Sequence, residues 1–471
     1  MIPPVTPQIM GESLPKSMGA PPLSPMAAPS PGQGPGTAPA APSTIQWGQP
    51  YRLVWCAVAS VHRPLRIALL SYRSKPHSGG QGVYVRHLSR ELAARGHHVE
   101  VFSGQPYPEL DEGPVLRHVP SLDLYRDDDP FRTPRRAELR DWTDALEVAM
   151  MWGGAFPEPL TFSLRAVRAL RTRPGDFDIV HDNQGLGYGM LGVRRLGLPL
   201  VTSIHHPITV DRRLDLAGRG WLERLNKARW YGFVRMQGRV ARRAGPLITV
   251  SSSSKDDICR DFRVNPGKVH IIPLGVDTRL FRPRPEQPRV PGRIVTVTSA
   301  DSPLKGLTTL LRAVAKLATE RDAHLVVIGS PSAATRQQVT QLALGSRVTF
   351  ASGLPDAEYA RVLASAEVAV IPSMYEGFSL PAVEHMASGT PLIASRAGAL
   401  PEVTGDAALL VPPGDPEELS AALGGLLDDA SARAGLASSG LARVRERFAW
   451  PAVAAATEAL YRKVINGEPG C

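Results

Sequence analysis

The chain has 471 residues, 43% apolar and 21% charged, with a net charge of +10 and a pI of about 9.7. That balance excludes collagen-like, coiled-coil and wholly disordered classes. The longest candidate, residues 53–61, has nine residues with Ser60 among them, far short of the ~20 needed to cross a membrane, and it starts too deep for a signal peptide. Residues 1–50 hold 13 of the 45 prolines with Gly, Ala and Ser, so residues 1–62 are expected to be a disordered tail, or upstream sequence read from a wrongly chosen start. From Pro64 onward, short apolar runs alternate with helical patterns. The expected strands are 66–71, 98–103, 178–182, 199–204, 247–250 and 269–272, then 293–298, 323–328, 347–350, 367–371, 391–394 and 407–411. Strands alternating with helices form βαβ units and parallel sheets. The expected organisation is an α/β chain of two doubly wound, Rossmann-like domains, 63–277 and 292–446. A Pro-rich linker, 278–291, joins them and a terminal helix, 447–465, follows. Ligands of open α/β sheets sit off the carboxyl ends of the strands, so two such domains frame one central cleft.

Three widely spaced cysteines, Cys56, Cys259 and Cys471, form no CxxC motif. They argue against a disulfide framework or a zinc site and for a reducing, cytoplasmic compartment. Of the 54 basic residues 46 are Arg, which suits an anionic partner or reflects genome composition.

Four segments carry chemistry. After the first strand comes a loop with Gly79, Gly80 and Gly82, followed by an amphipathic helix. Backbone N–H groups there can approach an oxyanion, although the spacing is neither GxGxxG nor a P-loop. A flexible βα turn is the plainer reading. His205 and His206 end another strand, and His181-Asp182-Asn183 ends the one before it. A strand-end histidine can donate to a hydroxyl or a phosphate, or act as a base. Lys305-Gly306 precedes a helix expected over 307–318. A cation at a helix start opposes the dipole unless a bound anion meets both. The sharpest segment runs from Pro372 to Pro391. Glu376 follows a strand, Gly377-Phe378-Ser379-Leu380 forms a loop, and Glu384 falls in the first turn of a helix opening near Pro381. Carboxylates at these points can accept from vicinal hydroxyls of a hexose or a ribose. Dipole complementation is the plainer reading of Glu384.

This order of glycine loop, strand-end His, Lys-Gly and E-x7-E resembles the retaining family-4 glycosyltransferases of GT-B fold, over about residues 65–465. Ile272-Pro-Leu-Gly-Val-Asp277, Gly398-Ala-Leu-Pro-Glu402 and Phe448-Ala-Trp450 are similar as well. The resemblance implies a hexosyl transfer from a nucleoside diphosphate sugar to an acceptor hydroxyl, with retention and without a metal or another cofactor. It implies that Glu384 holds the ribose and that Glu376 holds the donor sugar. The N–H groups of Phe378, Ser379 and Leu380, beside Gly377, surround sugar and phosphate. Lys305 is then the cation on the diphosphate, Gly79 and Gly80 cradle the phosphate from the other domain, and His205 stands near the reacting carbon. Ser299 joins the donor-binding residues.

The family's second diphosphate Arg, five residues before the Lys, is Ala300 here, so either another cation, Arg73 or Arg396, substitutes or the donor is held differently. Asp127-Asp128-Asp129 reads as a solvated loop rather than a metal-binding DxD. The basic, aromatic stretch 212–243 reads as a helix or helix pair near the acceptor site. Contact with an anionic membrane stays open as an alternative, and nucleic acid is disfavoured. The acceptor class (lipid, glycan or small molecule) is open too. The alternative functions are a different enzyme on the same architecture, an epimerase or a phosphorylase, or an inactive nucleotide-sugar binder.

Overall fold

The computed structural model describes residues 63–74, 80–126, 128–173, 175–205, 207–216, 220–298 and 302–468. The tail expected over 1–62 lies outside the described residues. The first half of the chain runs β1 (Arg66–Ser71), α1 (Gly80–Ala94), β2 (His98–Ser103), β3 (Val115–His118), α2 (Trp142–Trp152), α3 (Glu158–Arg171), β4 (Ile179–Asn183) and α4 (Gly189–Arg195). It continues through β5 (Leu200–Ser203), α5 (Thr209–Leu216), α6 (Trp221–Trp230), α7 (Gly232–Arg243), β6 (Leu247–Thr249), α8 (Ser252–Phe262) and β7 (Val269–Ile271). The second half runs β8 (Arg293–Val297), α9 (Leu307–Leu317), β9 (His324–Ile328), α10 (Ala333–Gln341), β10 (Val348–Ala351), α11 (Asp356–Ser365), β11 (Val368–Ile371) and α12 (Leu380–Ala387). It closes with β12 (Leu392–Ser395), α13 (Leu400–Thr404), β13 (Ala408–Val411), α14 (Pro416–Asp428), α15 (Ala430–Arg447) and α16 (Trp450–Ile465).

The strands build two all-parallel sheets, ordered β3-β2-β1-β4-β5-β6-β7 and β10-β9-β8-β11-β12-β13. In each sheet the winding reverses beside its first strand, between β1 and β4 and between β8 and β11. An open sheet splits apart at such a switch point, which makes a crevice at the carboxyl ends of those strands. The central strands are buried on both faces, so their sequences are continuous apolar runs such as Ile67-Ala-Leu-Leu70 and Val368-Ala-Val-Ile371. The edge strand β3 was not expected, because Val-Leu-Arg-His is mostly exposed and shows no apolar run.

One hydrophobic core passes from the first sheet into the second, from Ile67, Val101 and Ile248 to Val295, Ile371 and Leu392. The last helix, α16, adds Trp450, Val453 and Tyr461 to it. The Trp450 ring lies 5.9 Å from Tyr84 and 5.2 Å from His87, both on α1. Arg95 pairs with Glu458 at 2.7 Å on the same surface.

The stretch 212–243 mixes apolar and basic side chains when read as one helix, but the chain breaks at Tyr231 and restarts in a new phase. In α7, Phe233, Val234, Met236, Val240 and Ala241 are buried while Arg235, Arg239, Arg242 and Arg243 are exposed. Before the break, α6 turns Trp230 onto Tyr125, Phe131 and Phe156. Among the described residues, no helix is long and apolar enough to cross a membrane.

Candidate active site

The second sheet's switch point supplies two chain segments. After β8, Ser302 caps a 3-10 turn over Pro303–Lys305 by accepting from the Leu304 N–H. After β11, residues 372–379 lead into α12. The Leu304 carbonyl accepts from the Met374 N–H at 2.7 Å, so the two segments lie side by side. Gly306 makes that approach possible. Its φ is +66°, and a Cβ there would sit 1.9 Å from the Pro372 carbonyl oxygen. On the far side, Gly398 does the same for Glu376, since a Cβ would meet the Glu376 carbonyl oxygen at 2.3 Å.

Held in this way, Lys305 Nζ donates to Glu376 Oε1 at 2.9 Å, and Ser373 Oγ donates to the same oxygen at 2.7 Å. The Lys305 side chain keeps 28% of its surface exposed and that of Glu376 10%, so a cation and a carboxylate line the crevice with little solvent around the acid. Gly377 turns its carbonyl toward the other half of the chain and accepts from Ser251 Oγ at 2.6 Å and Ser254 Oγ at 3.0 Å. The side chain of Phe378 is core, packed on Phe448 at 5.7 Å, so only its backbone is available to a ligand. Leu380 packs at the edge of the same core.

Ser379 is the N-cap of α12, with φ +81°, a strained value for a residue other than glycine. Its hydroxyl is buried and has no hydrogen-bond partner among the described residues. A buried hydroxyl without a partner among the described residues and a helix N-terminus thus lie three and four residues after Glu376. Glu384 departs from the sequence expectation. The helix opens at Leu380, so Glu384 lies in the second turn, and dipole complementation does not explain it. It accepts from the Tyr359 hydroxyl through Oε2, and burial pushes its carboxyl up to about 7.

In the first sheet, His205 follows β5 next to the switch-point strand β4. Its N–H donates to Gln184 Oε1 at 3.0 Å, its Nε2 lies 2.8 Å from Asn183 Oδ1, and its ring meets the Tyr84 ring edge-on at 4.6 Å. An amide oxygen opposite Nε2 places a proton on that nitrogen. Asn183 therefore does converge on His205, but its neighbours do not. His181 is fully buried between Tyr461 at 2.5 Å and Ser203 at 2.6 Å, and burial pushes it down to about 3. Asp182 holds the Leu186 N–H at 2.8 Å. The helix α1 already includes Gly80 and Gly82, which are therefore its first turn rather than loop. His206, Gly79, Ser299, Ala300 and Asp127 lie outside the described residues.

A model described as Glycosyltransferase Family 4 matches residues 78–280, and one described as Glycosyl transferases group 1 matches residues 291–429. A protein named MMP alpha-(1->4)-mannosyltransferase, from Mycolicibacterium hassiacum, is 56% identical over 86% of this chain and 100% of its own length. The chain belongs to the family-4 glycosyltransferases. A D-inositol 3-phosphate glycosyltransferase from Streptomyces scabiei is 30% identical over 86% of this glycosyltransferase and 93% of its own length. The structure of a sucrose-phosphate synthase from Thermosynechococcus elongatus covers 86% of the chain at 25% identity with a TM-score of 0.62. Anabaena Alr3699/HepE, solved with UDP and glucose, covers 85% at 17% identity with a TM-score of 0.62 and supports the GT-B fold alone.

Of the two cations that could stand in for the missing second Arg, the glycosyltransferase has committed one elsewhere. Arg73 donates to Glu158 at 2.9 and 3.2 Å and to the Tyr125 carbonyl at 2.9 Å. A largely buried, hydrogen-bonded ion pair is costly to break, so Arg73 is a first-domain strut. Arg396 is exposed, two residues from Gly398, and has no ion pair among the described residues. Asp128 and Asp129 pair with Arg126 at 3.3 and 3.4 Å on the surface. Sequence reading missed Ser373, Tyr359, Asn183 as the partner of His205, and the contact of Ser251 and Ser254 with Gly377. The four consecutive serines from Ser251 were the one visible signal for that last contact.

Proposed function

We propose that this glycosyltransferase moves a mannosyl residue from a nucleoside diphosphate sugar to a hydroxyl of a saccharide acceptor, with retention at the anomeric carbon. The observation that carries the reading is the meeting of Lys305 and Glu376 at 2.9 Å just ahead of α12, whose N-cap is Ser379. A diphosphate leaving group develops negative charge, and Lys305 together with the N–H groups of Phe378, Ser379 and Leu380 offsets it. Lys305 then supplies charge that a metal ion supplies in other sites. Glu376 is already near Lys305 and accepts from donor-sugar hydroxyls, while Glu384 accepts from the ribose. Retention follows if the acceptor attacks on the face the diphosphate leaves, with the departing phosphate taking the acceptor proton. His205 stands on the sugar side at the opposite sheet's carboxyl edge, its Nε2 proton held by Asn183, and Gly80 at the start of α1 meets the phosphate from that side. Positioning and exclusion of water do most of the work. The 56% identical mannosyltransferase supports mannose as the sugar moved and a saccharide as the acceptor.

The test is transfer from labelled guanosine, uridine and adenosine diphosphate mannose to an α-mannoside acceptor, with the product's anomeric configuration read by NMR. An α-linked product that persists in a metal chelator is expected. A β-linked product, or activity abolished by the chelator and restored by a divalent metal, contradicts the reading.

The carboxyl group of Glu384 adds a pH dependence. Burial raises it to about 7, and the ionised form is the better acceptor for ribose hydroxyls. Donor KM is therefore expected to fall as pH rises from about 6 to 8. A donor KM that is flat over that interval excludes Glu384 as the group responsible.

A further inference from the structure

Tyr359 sits on α11, the helix packed beside α12. Its hydroxyl donates to Glu384 Oε2, and no other hydrogen bond to the Glu384 side chain occurs among the described residues. The ring is seated independently of that bond. It meets the ring of Phe281 edge-on, with centroids 5.6 Å apart and planes at 83°. Phe281 is buried in the shared core, in the segment between the two sheets. The phenol is therefore a fixed donor aimed at one oxygen of a carboxylate that would otherwise rotate about its terminal torsions. A carboxylate held by one oxygen offers the lone pairs of the other in a single direction, and recognition of two neighbouring hydroxyls needs such an arrangement.

We infer that Tyr359 is a positioning residue for the donor: it fixes Glu384 through Oε2 so that Oε1 meets the vicinal diol of the nucleoside. This rests on the reading of Glu384 as the ribose acceptor. The sequence alone does not point to it, since Tyr359 lies 25 residues from Glu384 on a different helix. Among the described residues the charged group acting on Glu384 is Asp356, also on α11 and one turn before Tyr359. It opposes ionisation of Glu384, whereas the phenol favours it. Removing the hydroxyl therefore has two expected consequences. Glu384 loses its orientation, and its ionisation moves to higher pH.

The experiment crosses the protein hydroxyl with the ligand's diol. The tightest binder among guanosine, uridine and adenosine diphosphates is titrated calorimetrically into wild type and Tyr359→Phe, alongside its 2′,3′-dideoxy counterpart. In wild type, loss of the diol is expected to weaken binding about tenfold, as for hydrogen bonds to a charged group. In Tyr359→Phe the same change is expected to cost less than about twofold, because the diol no longer meets a fixed acceptor. The pH at which the ribose-bearing ligand gains affinity is expected to rise in the variant. An equal diol effect in both proteins overturns the role of Tyr359 while leaving Glu384 as the ribose acceptor. No diol effect in wild type removes the reading of Glu384 itself. Tighter binding by Tyr359→Phe also overturns the proposal, since the phenol would then occupy the ribose's place. Tyr359→Met provides the same deletion if the phenyl ring alone unsettles α11, and the melting temperature reports on that.

Discussion

Lys305→Ala is expected to lower kcat by about 10²–10³, with the fold intact. Removal of one preorganised group that stabilises developing negative charge typically costs that much. Lys305 ends a 3-10 turn and is partly exposed, and its described polar contact is with Glu376 Oε1, which Ser373 also serves. The variant therefore leaves Glu376 hydrogen-bonded and has no core packing to lose. Steady-state kinetics with saturating donor, combined with a melting curve, separates the two effects. A rise in KM alone, or a kcat within about threefold of wild type, would place the leaving-group charge elsewhere. Arg396 would then be the residue to examine.

Gly306→Ala is expected to be nearly as damaging through geometry rather than charge. The residue is forced to φ +66°, and its Cβ would approach the Pro372 carbonyl oxygen to 1.9 Å. Positive φ alone costs a side-chain-bearing residue about 1 kcal/mol. The collision cannot be relieved by a rotamer, because it involves Cβ and backbone. The Lys305 turn must therefore move away from the 372–376 segment, separating the cation from Glu376. Activity is expected to fall at least tenfold, with a lower melting temperature. Gly345→Ala, at a position with open space around it, serves as the control and is expected to change neither. Wild-type kinetics in Gly306→Ala would show that the contact between the two segments is dispensable.

Much of this arrangement was legible in the sequence because two strong periodicities carry it. Fully buried parallel strands are short apolar runs, and Ile67-Ala-Leu-Leu70 or Val368-Ala-Val-Ile371 can hardly be anything else when helical patterns flank them. The edge strand β3 carries no such run, since Val115–His118 is mostly exposed, and it went unseen. Lys305 and Glu376 were visible because each is a charged residue placed awkwardly for its local structure, at a helix start or after a strand, and Glu384 because its spacing from Glu376 completes the E-x7-E pattern. What that awkwardness does not reveal is the partner. Tyr359 on Glu384, Ser373 on Glu376 and Asn183 on His205 are meetings made by tertiary packing. Glu384 shows the limit most clearly. A shift of one residue in the helix start moved it out of the first turn and removed the dipole argument, while its hydrogen bond to Tyr359 took that argument's place. Arg73 illustrates the converse, a cation near the glycine turn that is occupied by Glu158.

The central claim is that a nucleotide-activated sugar binds where Lys305 and Glu376 meet the start of α12. Calorimetric titration of nucleoside diphosphate mannoses into wild type and Lys305→Ala tests it most directly. Saturable binding to wild type, weakened at least tenfold in the variant, is the expected result. Equal affinity for the two proteins, or no heat with any of these sugars, would contradict it.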